Sequence, residues 1–310
     1  MGLVIHIGSQ KTGSTAIQST LAENVDRLRA QGVHYCQAGR SNIAHNVLAQ
    51  DIRHGDPAAH FADLAAEVAA QDARVHLMSS EMLFHASVAP RLWAGLAPGL
   101  REDVRLICYL RRHDQYLEAM YKQLLKNGKI RANPRAFLDR RRGTAAYGPV
   151  LDAFADAFEH AALEVRVYEP AALTGCDVVS DFLGVLGVEG LARSDAPANR
   201  TLSADVSEVL GEISRHTKIN TRPIIRELIA NGADGVARGG DAFSPGDRAD
   251  LMAQMADDCA YIRATYCPGD GPLFADTDIG AAADDSAEAR LDRHKFALAE
   301  VLAAFGRWRG

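Results

Sequence analysis

Leu3-Val4-Ile5-His6-Ile7 runs directly into Gly8-Ser9-Gln10-Lys11-Thr12-Gly13-Ser14-Thr15, and this junction decides the fold. The first five residues, short and dominated by β-branched side chains, predict a buried strand. From Thr15 to Ala30 the pattern becomes helical, with Ile17, Leu21, Val25 and Leu28 on one face. A glycine-containing turn between a strand and a helix lets backbone N–H groups and the helix dipole face the same anion. The spacing Gly8-x4-Gly13, followed by Ser14-Thr15, is that of a nucleotide-triphosphate loop with one displacement. Ser14 stands where a lysine should follow the second glycine, and Lys11 lies inside the loop instead. The plain alternative is a tight turn that binds nothing.

Working outward, further strands are expected at 32–36, 74–79, 104–110 and 164–168, each a short apolar run. Helical patterns fill roughly 56–71, 113–127, 146–160, 177–187, 203–216 and 246–266. Strands alternating with helices predict an α/β chain, a P-loop-like three-layer fold with a central parallel sheet flanked by helices. No internal repeat is visible. The domain expected over 1–275 is followed by a linker and a C-terminal helix, 276–310, packed on the same domain. That final helix, too short to hold a core alone, is expected to pack on its own body or on a neighbouring copy, so a homo-oligomer stays open.

The chain has 310 residues and a net charge of −6, so any anion site must come from local clustering. That balance argues against nucleic acid as a partner. The five cysteines are widely spaced, with no CxxC pair, which fits a reducing compartment and argues against a zinc site. No apolar run is long enough to span a membrane, and no signal peptide is visible, so a cytoplasmic location is expected.

Lys11-Thr12-Gly13-Ser14-Thr15 resembles the 5′-phosphosulfate loop of the PAPS-dependent sulfotransferases, in particular the bacterial type acting on carbohydrates or small acceptors. A second motif of that family holds the donor's 3′-phosphate with a strand-end arginine and a serine eight residues later. Arg111 matches the arginine, while Ala119 stands at the serine position, leaving Arg112 or Tyr121 to substitute. Looser resemblance continues through Ser79-Ser80-Glu81, Val165 to Glu169 and Asn199 to Ser203, covering about residues 3–275. The resemblance implies PAPS as donor and PAP as product, with no metal required. It implies sulfuryl transfer to a hydroxyl or amine of a glycan or small-molecule acceptor. Gly8, Gln10, Lys11, Thr12, Gly13, Ser14, Thr15, Arg111 and Arg112 would bind the donor.

Lys11 is the expected catalytic group, placed to stabilise the departing phosphate. For the general base, Glu81 at the end of the third strand and His45 after the second are nearly equal. A histidine titrates near neutrality unaided, whereas a glutamate would need its pKa raised by burial. Glu81 as a helix cap and His45 as an ordinary surface histidine are the bland alternatives. His34, His76 and His85 read as structural. The run from Lys122 to Arg142 carries eight basic residues against Asp139, which marks either an anion-attracting face or a solvated basic helix. A lid facing the acceptor is expected at 218–245. Two other classes compete: a P-loop kinase or NTPase, for which Ser14 is the wrong residue, and an inactive nucleotide- or glycan-binding relative.

Overall fold

Each of the five apolar runs forms a strand in the computed structural model, which describes residues 2–158, 163–192, 201–275 and 286–309. They are β1 (Gly2–His6), β2 (Val33–Tyr35), β3 (Val75–Ser79), β4 (Val104–Leu110) and β5 (Leu163–Val167). All pair in parallel in the order β2-β3-β1-β4-β5, which puts the first strand in the centre. Helices flank the sheet, as the alternating pattern predicts for an α/β fold. On one face Val4, Leu77, Ile107 and Tyr109 pack against Ile17, Leu21 and Leu28 and against Val178, Val179 and Phe182.

Two expected helices are broken. The 15–30 pattern splits at Asn24 into Ser14–Glu23 and Val25–Ala30, and the 246–266 pattern splits at Met255. Asn24 Nδ2 donates to Thr20 O and Ala192 O, so the side chain competes with the helix for backbone partners at the break. Shorter helices at Asn46–His54, Val88–Gly95, Pro134–Arg141 and Arg222–Asn231 carry no pattern that the sequence reading picked out. The linker expected after 275, and Asn199 and Arg200 of the Asn199–Ser203 match, lie outside the described residues.

Backbone contacts gather into two compact units. The first comprises Met1–Arg112, Ala146–Ala196 and Asp257–Ala275 and holds the whole sheet. In it, Asp181 accepts from Tyr109 Oη (2.8 Å), from Arg166 Nε and Nη2 (2.6 and 2.7 Å) and from Thr174 N (3.0 Å). Burial pushes this carboxyl upward, but those donors outweigh it and hold the pKa down at about 2.

The second unit is helical: His113–Ala145, Pro197–Ala256 and Asp276–Gly310. Its helix His113–Lys126 carries a buried polar stripe, Asp114, Glu118 and Lys122, spaced one turn apart. Arg248 pairs with Asp114 and Glu118, and Lys122 pairs with Glu118 and Asp241 and donates to Arg238 O at 2.7 Å. Lys122 is therefore withdrawn from the basic face expected over 122–142. In the same run Arg135 pairs with Asp247, and Arg142 with Asp139. The expected 218–245 lid includes a helix, Arg222–Asn231, and its last part is tied down through Glu118, which accepts from Asp241 N and Ala242 N.

Candidate functional site

Parallel register assembles the site at the C-terminal edge of the sheet. His6 stands opposite Ser79, so Gly8 and Glu81, two residues further along each chain, come together. A Cβ at Gly8 would lie 2.7 Å from both Cα and Cβ of Glu81, so no larger residue fits there without moving one chain. Gly8 also has φ +69°, where glycine has no steric penalty. On the other side, Leu110 pairs with Val167, which makes Arg111 and Tyr168 neighbours, and the Arg111 guanidinium lies 5.6 Å from the Tyr168 ring centre.

The loop between β1 and the helix Ser14–Glu23 is held by its own small polar side chains. Ser9 Oγ donates to Tyr109 O (2.8 Å), anchoring the loop to β4, and Thr12 Oγ1 donates to Ser9 O (2.6 Å). Ser14 Oγ lies 3.5 Å from the same carbonyl. The hydroxyls of Ser9 and Thr12 are thus used inside the loop, whereas Gln10 and Thr15 are exposed and Lys11 is half-buried. Lys11 has φ +69°, an uncommon conformation for a residue with a Cβ, and Arg111 Nη1 donates to its carbonyl at 3.0 Å. Gly13 has φ +79° and caps the helix with no side-chain acceptor for the first-turn N–H groups. A Cβ there would sit 2.6 Å from Val178 and 3.4 Å from Tyr168, so the turn is closely fitted. A glycine cap, a left-handed lysine and an arginine holding that lysine's carbonyl make a cradle suited to a phosphate group.

Glu81 opens a short 3₁₀ turn, Glu81–Leu83, but it is Ser80 that caps it, accepting from Met82 N at 3.2 Å. The Glu81 carboxylate instead accepts from Gln18 Nε2 (2.9 Å), which also donates to Ser79 Oγ (3.2 Å). Ser79 Oγ is 2.8 Å from His6 Nδ1. The sequence reading passed over Gln18. It carries little signal, being one of several polar residues, with Ser14, Ser19 and Thr20, that the helix Ser14–Glu23 buries beside Ile17 and Leu21.

His45 requires a correction. It is a buried interior residue, not a surface one: Nδ1 accepts from Ser79 N (3.1 Å), and Nε2 donates to Cys36 O (2.9 Å). Both ring nitrogens serve the main chain, which leaves neither to take a proton from a substrate. Arg112 also turns inward. Only 3% exposed, it donates from Nη1 to Ala275 O at 3.2 Å, a structural bond in place of the ligand contact expected of it. Tyr121 belongs to the second unit, where its hydroxyl donates to Ala132 O. His34 is held by Glu67 at 2.7 Å, whose carboxylate also accepts from Gln37 N and Ala38 N. His85 is exposed and bonded to Ser87, on no apolar helix face.

The buried histidines have a measurable consequence. Burial lowers the pKa of His6 to about 3, and burial likewise lowers that of His45 to about 4 despite its backbone partners. Both are neutral in the folded protein at pH 5–6, whereas in the unfolded chain a histidine takes up a proton below about pH 6.5. The unfolded state then binds more protons, so stability present at pH 7 is lost as pH falls toward 4. Denaturant titrations should show unfolding free energy dropping by about 2–3 kcal/mol between pH 6 and pH 5, the slope of two protons. A slope well below one proton would mean that these rings are not excluded from water.

No family model matches the chain. An uncharacterized protein of Archaeoglobus fulgidus is 29% identical over 113 residues, which cover 36% of this chain and 28% of that protein. The chain therefore spans little more than a quarter of that relative. Among solved structures, a sulfotransferase from Alicyclobacillus acidocaldarius aligns with 85% of this chain and 95% of its own, at 14% identity and a TM-score of 0.49.

Proposed function

We propose that the chain transfers a sulfuryl group from PAPS to a hydroxyl or amine of an acceptor, a glycan or a small metabolite. The observation that carries this reading is the loop itself. Lys11 sits inside the cradle in a left-handed conformation with its carbonyl held by Arg111, and the base candidate Glu81 lies against Gly8. Bound PAPS would supply an electrophilic sulfur and a phosphate leaving group. Backbone N–H groups of the loop and of the first helical turn, with Thr15 at the exposed edge, hold the 5′-phosphate. Lys11 reaches the oxygen on which charge accumulates as the bond to sulfur breaks. Arg111 holds the loop in this shape and adds positive charge beside it. Glu81, its carboxylate oriented by Gln18, accepts the acceptor's proton.

Two features weigh against a kinase-like reading. Ser14 follows Gly13 where a triphosphate loop carries lysine, and the Ser14 hydroxyl faces the Ser9 carbonyl inside the loop. The cytoplasm remains the proposed compartment, supported by five cysteines that form no disulfide. Among the described residues no helix is long and apolar enough to cross a membrane.

Thermal shift with PAP, and separately with ATP and magnesium, tests the proposal. PAP alone should raise the melting temperature. Arg111→Ala should weaken PAP binding by about tenfold or more, because it removes both a charge and the restraint on Lys11. A response to ATP–magnesium with none to PAP would replace this reading with a phosphotransferase.

A further inference from the structure

The face of the sheet opposite Val33, Tyr35 and Leu77 turns polar at its β2 edge. His34 and Cys36, two residues apart, share that face, and His76 stands opposite His34 in the register of β3. His34 and Cys36 are buried where a parallel sheet normally carries aliphatic side chains. Glu67 reaches them from the helix Ala58–Ala70. An imidazole nitrogen of His34, the Cys36 sulfur and a Glu67 carboxylate oxygen all lie within 4.8 Å of one another.

Hydrogen bonding accounts for only part of this cluster. Glu67 holds His34 at 2.7 Å, but a buried thiol gains nothing from a carboxylate beside it. The Cys36 thiol has a long bond of 3.9 Å to His34 O, and burial, then the Glu67 charge, pushes its pKa up. A cation among the three groups would turn that repulsion into attraction. The carboxylate is already oriented, accepting from Gln37 N (2.7 Å) and Ala38 N (2.9 Å), as the outer hydrogen bonds of a ligating carboxylate do. A tetrahedral zinc sets nitrogen, oxygen and sulfur ligands about 3.3–3.6 Å apart. His34 and Glu67 need to part by under about 1 Å, and Cys36 to approach by about 1 Å, to meet that spacing. The cysteine spacing speaks only against a site built on paired cysteines, and this set uses one.

We propose that His34, Cys36 and Glu67 form a zinc site, with water in the fourth position, that pins the helix Ala58–Ala70 to the edge strand β2. Mixed nitrogen, sulfur and oxygen ligands suit zinc, whereas magnesium and calcium take oxygen. On binding, the Cys36 thiol releases its proton to solvent and the sulfur enters as thiolate. His34 coordinates through Nε2 and keeps its hydrogen on Nδ1. The site uses none of the residues of the Gly8–Thr15 loop and does not depend on the transfer reaction.

The full chain, without a histidine tag and stripped by a chelator, should take up one zinc ion. Its melting temperature should rise by about 5 °C or more at free zinc a hundred times the Kd. Cobalt in place of zinc should give a near-ultraviolet thiolate-to-metal charge-transfer band, which only a cysteine ligand produces. Cys36→Ser should abolish that band and weaken zinc by more than the 10–100-fold that an outer-shell loss costs. Glu67→Gln, at a half-buried position, should keep the band and weaken zinc about tenfold or more. A parent chain that binds no zinc, or that shows no charge-transfer band with cobalt, would overturn the proposal. So would zinc held by Cys36→Ser at parent affinity, which would place the ion elsewhere, as at the His60–Asp51 pair.

Discussion

Lys11→Ala is expected to abolish sulfuryl transfer while leaving the folded protein as stable as the parent. The lysine side chain is half-buried, and the loop is held by Ser9, Thr12 and the Lys11 carbonyl, none of which the substitution touches. Alanine meets the same left-handed backbone at φ +69°, so the conformational cost of about 1–2 kcal/mol is present in both proteins and cancels. On the proposed mechanism, what is lost is a positive charge aimed at an oxygen that becomes anionic only as the reaction proceeds. Removing one such group costs a factor of about 10²–10³ in turnover, or more where water is excluded. The measurement is single-turnover transfer with saturating donor, alongside PAP affinity and melting temperature. Full activity in this variant would remove Lys11 from the mechanism. Lost activity accompanied by a fall of several degrees in melting would point to a loop that needs lysine for its shape.

Glu81→Gln should lower turnover by about 10²–10⁴, the usual contribution of a positioned general base. Glutamine has nearly the same size and can still meet the Gln18 amide, so donor binding and stability should hold. His45→Asn is the informative contrast. It removes a ring that bonds Ser79 N and Cys36 O from the interior, so it should destabilise the fold by about 1–3 kcal/mol. Turnover per folded molecule should stay within a few-fold of the parent. Reversal of these two results, with Glu81 dispensable and His45 essential to turnover in a stable variant, would transfer the base assignment.

The sheet was legible because each strand is a compact β-branched run, and all five fall within a residue or so of where the runs predict them. Helix continuity was harder to read. The apolar period runs unbroken through Asn24, and only a carbonyl from residue 192 shows why the chain bends there. The loop from Gly8 to Thr15, between a strand and a helix, was legible because its residues are consecutive. The meeting of Gly8 with Glu81 was not, since it depends on which strand pairs with β1 and in what register. His45 misled for a related reason. Its residue type suits proton transfer, but what it does follows from lying beside the Ser79 amide, and no local pattern encodes that. Arg112 and Lys122 likewise sit in basic runs that suggest solvent, and each is buried against a carbonyl or a carboxylate.

The strand order carries a consequence for how the protein is made. β1 is made before the other four strands yet ends up in the middle of the sheet, with both of its neighbours still to be translated. Its β3 partner arrives some 70 residues later, and its β4 partner about 100 residues later, so an apolar ribbon with two open edges exists throughout that interval. The first unit is not complete until the segment Asp257–Ala275 emerges, because its chain is interrupted twice by pieces of the second. Neither unit can be excised as a single stretch of gene. A nascent chain stalled before residue 104 should therefore engage chaperones strongly, and truncations meant to isolate the sheet-bearing unit should yield aggregates in place of a smaller folded protein.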